Sequence, residues 1–248
     1  MTMKYAVQHI AGLKCHILDP DINDFTPQRI FVLCHGFGAP GTDLVGLGEE
    51  LYAMNPAWGA ETRFLFPEAP LDLTPFGMPG GRAWWMIDMQ RLTQLQSPDH
   101  LREFMTETPP GMLPAAEQLQ TVIEQVLSQA MLPASRCILG GFSQGSMVAA
   151  QVAFHLKDTP GALCILSGSL INSPDWTQLA MNRTDLPVFQ SHGMQDPILP
   201  FQGAVWLRDM LKDAGIQAEF HAFTGGHTIT LQVLSQLSQF LGRISHRD

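Results

Sequence analysis

Apolar positions along this chain follow two alternating patterns. Short continuous runs at residues 30–34 and 137–139 read as strands buried on both faces. Longer stretches with apolar residues every third or fourth position read as helices. The clearest places Leu119, Val122, Ile123, Val126, Leu127 and Ala130 on one stripe, with Pro114 suited to its first turn. Near the start, residues 5–10 and 15–18 predict an antiparallel hairpin turning at Ala11-Gly12. Thr42 or Asp43 is expected to cap a helix reaching about residue 54, with Leu44, Leu47 and Leu51 on one face. Further strands are expected at 62–66, 162–166, 188–191 and 219–223. One more helix ends at Ala214-Gly215, and the last runs from about 228 to 241. Strands alternating with helices predict the α/β class, with a mostly parallel central sheet and helices on both faces. No internal repeat or linker divides residues 1–248, so a single domain is expected.

One segment breaks the rhythm. Residues 67–113 are rich in proline and glycine and carry Phe76, Met78, Trp84, Trp85 and Met86. A long irregular stretch inside a compact domain is usually functional or disordered. So many large apolar side chains argue against disorder. The segment is therefore read as a covering loop that walls an apolar cleft; the alternative is a plug for the sheet edge.

Composition narrows the class. The chain has 248 residues, 45% hydrophobic and 15% charged, which suits a packed globule. A formal net charge of −9 speaks against nucleic acid and anionic membrane surfaces as partners. No apolar stretch is long enough to cross a bilayer, and the first residues lack the apolar core of a secretory signal. Cys15, Cys34, Cys137 and Cys164 each lie in an apolar, strand-like run without metal-ligand spacing. They read as buried free thiols, as a reducing cytoplasm predicts. Homodimerisation through an apolar surface patch is compatible with this composition.

The chemistry concentrates in Gly140-Gly141-Phe142-Ser143-Gln144-Gly145, a G-x-S-x-G between a strand and a small-residue helix. In that context the motif is a nucleophile elbow, with the serine at the tip of a sharp turn and helix N–H groups facing its target. The alternative is a glycine-rich turn with a surface serine. A serine nucleophile needs a base. Among nine histidines, His227 follows Gly225-Gly226 after the last strand and is expected to open the last helix. Asp196, in Gly193-Met194-Gln195-Asp196-Pro197, is the candidate acid that fixes the imidazole, with Asp175 and Asp185 as alternatives. His192 is expected to satisfy backbone groups. The glycine-rich loop His35-Gly36-Phe37-Gly38 would supply one oxyanion donor, the N–H of Phe37, and the N–H of Gln144 the other. Phe37, Phe76, Met78, Trp84, Trp85, Met86 and Leu199 are candidates for an acyl pocket. No metal or organic cofactor is needed for this chemistry.

Leu33-Cys34-His35-Gly36-Phe37-Gly38, Phe66-Pro67-Glu68-Ala69-Pro70, Gly81-Arg82-Ala83-Trp84-Trp85, Gly141-Phe142-Ser143-Gln144-Gly145, Leu166-Ser167-Gly168, His192-Gly193-Met194-Gln195-Asp196-Pro197 and Gly226-His227 share one order and spacing. In these the chain resembles the phospholipase/carboxylesterase family, which includes acyl-protein thioesterases and small bacterial carboxylesterases. The resemblance implies an α/β-hydrolase fold and hydrolysis of carboxylic esters, thioesters or lysophospholipids, with Ser143, Asp196 and His227 as triad. Two departures concern the substrate: Gly38-Ala39-Pro40-Gly41 replaces an acidic loop found in many relatives, and residues 92–110 are longer and more polar. A peptidase or acyltransferase on the same fold, or a catalytically silent binding module, are the other readings.

Overall fold

The computed structural model describes residues 2–244. In chain order its strands are β1 (Met3–Ile10), β2 (Leu13–Pro20), β3 (Arg29–Cys34), β4 (Thr62–Pro67), β5 (Leu71–Asp72), β6 (Arg82–Ala83), β7 (Cys137–Phe142), β8 (Ala162–Leu166), β9 (Val188–Gly193) and β10 (Ala218–Phe223). The helices are α1 (Val45–Met54), α2 (Pro56–Gly59), α3 (Met89–Gln94), α4 (Pro98–Thr106), α5 (Met112–Ala130), α6 (Gln144–His155), α7 (Ser173–Ala180), α8 (Phe201–Asp213) and α9 (Leu231–Ile244). Eight strands form one sheet in the order β1-β2-β4-β3-β7-β8-β9-β10. The β1–β2 and β2–β4 pairs are antiparallel and the rest parallel. At the hairpin turn Ala11 and Gly12 both have positive φ, 47° and 83°, which suits the right-handed twist of the strands it joins.

The two-residue period of the strands divides the core. Ile30, Val32 and Cys34 of β3 face the layer of α5, α6, α7 and α8, while Phe31 and Leu33 face α1 and α9. Every residue of α6 from Gln144 to Phe154 is buried, so this helix lies inside the protein and shows no polar face. All four cysteines are free and buried in strands β2, β3, β7 and β8. Burial pushes the Cys15 and Cys137 thiols up to about 12. No helix among the described residues is long and apolar enough to cross a membrane.

Several element boundaries differ from the sequence expectations. Thr42 and Asp43 lie in a turn before α1, whose preceding residue is Leu44, because Asp43 and Val45 N–H groups bond back to Pro40 and Thr42 carbonyls. The last helix starts at Leu231, with the Thr230 hydroxyl accepting from the Val233 N–H, so His227 stands in the loop before it. The 67–113 segment is more regular than expected. Strands β5 and β6 pair around a 3-10 turn at Thr74–Phe76, and α3 and α4 follow. Asp88 caps α3 through the N–H groups of Gln90 and Arg91, and Pro98 opens α4. Helices this short complete too few turns for a periodic pattern. The same reason hides α7, where Trp176 and Ala180 are buried.

Candidate active site

Ser143 joins the end of β7 to the start of α6 with φ 54° and ψ −122°, a conformation rare for a residue with a side chain. The surroundings enforce it. The Ser143 N–H donates to the Leu166 carbonyl at 2.9 Å, and its own carbonyl accepts from the Ser146 N–H at 3.0 Å and the Ser146 hydroxyl at 2.7 Å. The flanking glycines are steric necessities. A Cβ on Gly145 would lie 2.0 Å from the Cys34 carbonyl oxygen, and one on Gly141 2.4 Å from the Gly145 carbonyl carbon. Strand β3, the turn and α6 therefore meet backbone to backbone.

Asp196 and His227, 31 positions apart in the chain, meet beside this turn. Asp196 Oδ2 lies 2.6 Å from His227 Nδ1, while Oδ1 accepts the N–H groups of Ile198 at 2.8 Å and Leu199 at 2.9 Å. The His227 ring packs against Phe142 with centroids 4.7 Å apart. His227 and Ser143 line the same cavity, without a direct hydrogen bond between them among the described residues. Burial alone would raise the Asp196 carboxyl. The hydrogen bonds from His192 and His227, the charge on His227 and the Leu199 N–H outweigh it, holding the group well below the usual carboxylate range. Asp175 sits instead on α7, 3.2 Å from His155, and Asp185 lies near Thr159.

His192 does more than satisfy backbone. It is fully buried, with Nε2 2.9 Å from the Leu199 carbonyl oxygen and 3.3 Å from Asp196 Oδ2. Two acceptors around Nε2 assign the proton to that nitrogen. The residue is thus a second donor to the carboxylate that holds His227.

The cavity in front of Ser143 has a volume of about 480 Å³. Gly36, Phe37 and Gln144 line it at the serine, and among the described residues the Phe37 and Gln144 N–H groups donate to no protein acceptor. Gln144 is the first residue of α6, where an N–H has no partner within the helix. Phe76, Met78, Trp85, Met86 and Leu199 form apolar wall. The loop that bears Phe37 is held from behind by His35. Its Nδ1 donates to the Gly36 carbonyl at 2.8 Å and its Nε2 accepts the Ala69 N–H at 3.1 Å. Burial lowers the His35 pKa and keeps the ring neutral.

The sequence profile of the phospholipase/carboxylesterase family matches residues 23–245, most of the chain. The chain belongs to that family. It is 27% identical over 233 residues to acyl-protein thioesterase 1 of Neurospora crassa, covering 91% of this chain and 89% of that protein. Acyl-protein thioesterase 1 homolog 1 of Dictyostelium discoideum is 26% identical over 224 residues, covering 88% and 91%. The crystal structure of esterase PE8 superposes with a TM-score of 0.73 at 25% identity, covering 98% of this chain and all of the other.

Within this phospholipase/carboxylesterase member, Trp84 corrects one expectation. It lies in the core at 1% exposure and does not line the cavity. The Trp84 N–H donates to Gln144 Oε1 at 3.0 Å, its indole N–H to the His35 carbonyl at 2.9 Å, and Gln144 Nε2 donates to the Trp85 carbonyl at 2.8 Å. Trp84 is an anchor and Trp85 the wall. The Gln144 side chain grips the backbone of both neighbours, and what sets them apart is the Trp84 indole N–H, which reaches the His35 carbonyl. Sequence reasoning also missed Leu73, Ile87, Leu92, Phe104, Met147 and Ile198 in the apolar lining, and the acidic Asp43 beside them. Their short or fully buried elements carry little signal; only the apolar character of Ile198 beside Asp196-Pro197 pointed that way.

Proposed function

We propose that this chain hydrolyses carboxylic esters and thioesters through an acyl-enzyme on Ser143. His227 Nε2 takes the Ser143 proton as Oγ attacks the acyl carbonyl carbon. Asp196 holds Nδ1–H and stabilises the imidazolium. The carbonyl oxygen gains negative charge and settles against the N–H groups of Phe37 and Gln144. The tetrahedral intermediate collapses, the bond to the alcohol or thiol breaks, and the leaving group departs with the proton from His227. Water then repeats the sequence on the ester of Ser143 and releases the acid.

The observation that carries this reading is the strained Ser143 backbone facing one cavity with the Asp196-bound imidazole. The thioesterase and esterase names of the relatives support the reaction class. An apolar cavity beside the serine favours an uncharged acyl group on a small-molecule or lipid-like ester. Four buried free thiols fit a cytoplasmic setting. The substrate reading is the same whether the enzyme is a monomer or a homodimer.

Fluorophosphonate labelling of wild type and Ser143→Ala is the decisive test. Labelling that vanishes in the variant, together with a kcat loss of about 10⁴–10⁶ on p-nitrophenyl esters, is expected. Equal labelling of both proteins would remove Ser143 from the mechanism, and amide turnover matching ester turnover would favour a peptidase.

A further inference from the structure

A second cavity, about 470 Å³, lies beyond the first. Trp85, Met86, Ile87, Leu92 and Phe104 line both. These five residues therefore form the partition between the chamber at Ser143 and a half-open chamber lined by the 85–92 and 104–110 segments. Two of them, Leu92 on α3 and Phe104 on α4, come from the helices that cover the site, and both are only partly buried. Trp85, by contrast, is gripped at its carbonyl by Gln144 and buried. The covering helices supply the yielding half of the partition.

We propose that the far chamber takes the distal end of a long acyl chain and that Phe104, with Leu92, sets the chain length at which the near chamber is full. This rests on the hydrolase reading of Ser143. The charges of the far chamber choose the occupant. Among the described residues, its lining cation is Arg91 and its carboxylates are Asp88 and Glu107. Glu107 already holds Arg91 in a two-pronged pair, with nitrogen–oxygen distances of 2.5 and 2.7 Å, and Glu103 stands 3.7 Å away. Asp88 is engaged in capping α3. No positive charge is left over for a phosphate headgroup or a carboxylate, and the excess of acids repels both. An uncharged alkyl tail loses nothing at this charge balance and gains by leaving water along the Leu92, Phe104, Pro109 and Pro110 surface. The headgroup or thiol must then leave on the solvent side of Ser143.

The test is a p-nitrophenyl ester series from acetate to palmitate, read as the ratio of kcat/KM for each length to that for acetate. In wild type this ratio is expected to rise by up to about fourfold per methylene until the near chamber is full, then flatten. Phe104→Ala is expected to move the plateau to longer chains by at least two carbons. Phe104→Trp, which thickens the partition, is expected to move it to shorter ones. A length profile unchanged in both variants, or scaled equally at every length, overturns the proposal. So does a plateau that follows Met78→Ala while ignoring residue 104. Because the acetate ester reports on the reaction itself, loss of all turnover in wild type would refute the hydrolase reading, whereas turnover without a length shift would refute only the second chamber.

Discussion

The floor of the site and its cover are built on different principles. On the floor, Ser143, the 35–38 loop and the start of α6 approach backbone to backbone; several hydrogen bonds hold the Ser143 backbone and the Asp196 carboxylate, and that carboxylate holds His227. On the cover, α3 and α4 are short, largely exposed and fastened by the Arg91–Glu107 pair at the rim. Trp84 and Trp85 tie the cover inward through Gln144, and at its far end Asn172 donates its N–H to the Glu107 carbonyl and accepts from the Thr108 hydroxyl. The floor admits few alternatives, whereas the cover offers apolar surface whose exact shape tolerates change. On the proposed reading, chemistry belongs to the rigid half and substrate choice to the adaptable one.

After Ser143→Ala, the largest effect should come from Asp196→Asn. Its Oδ1 faces two N–H groups, so the amide must turn its NH₂ toward His227 and force the proton onto Nε2. An imidazole in that tautomer cannot accept the Ser143 proton, and kcat should fall by about 10⁴. Gly145→Ala strikes the same floor through sterics. The added methyl meets the Cys34 carbonyl at 2.0 Å, and stability should drop by about 3 kcal/mol or more in urea unfolding. A wild-type midpoint would show that the floor is softer than its contacts imply.

Gln144→Ala keeps the backbone N–H but strips the clamp, orphaning the buried Trp84 N–H and the Trp85 carbonyl. A loss of roughly 2–3 kcal/mol is expected, with a rise in KM for long-chain esters as the Trp85 wall loosens. The pH dependence of stability probes the loop behind Phe37. His35 is held neutral, its pKa lowered by burial, so the unfolded chain binds a proton the folded chain refuses. His35 thus stabilises the fold fully above the unfolded histidine value of about 6.5 and progressively less as pH falls below it. Urea midpoints at pH 7 and pH 5 should differ more in wild type than in His35→Gln, whose amide does not titrate. Smallest of all should be Arg91→Ala. Its pair with Glu107 is 37% and 40% exposed, and solvent screening limits the stability change to below about 1 kcal/mol. A loss comparable with that of Gln144→Ala would mean the cover hangs from its rim instead of from the tryptophans.

Much of this arrangement was legible in the chain. The continuous runs of β3 and β7 and the stripe of α5 announced themselves because long buried elements must repeat their pattern. Ser143, Asp196 and His227 were candidates because residue types, local turns and chain order agreed. Less legible were α3, α4 and α7, too short for a period, and the start of α9, where Thr230 caps the helix three positions after His227. Trp84 and Trp85 were indistinguishable as letters. Their different roles depend on the His35 carbonyl, some fifty positions away, which the Trp84 indole reaches.

By itself the sequence determined the α/β alternation, the strand-turn-helix around Ser143 and the glycines that the turn requires, since periodicity and backbone sterics are local and leave a mark in every residue involved. Tertiary structure alone decided that His192 reaches the Asp196 carboxylate, that Trp84 points into the core and that Phe104 stands between two chambers. Those facts arise from contacts between distant segments, and direction and distance across a fold are not written in any one stretch of chain.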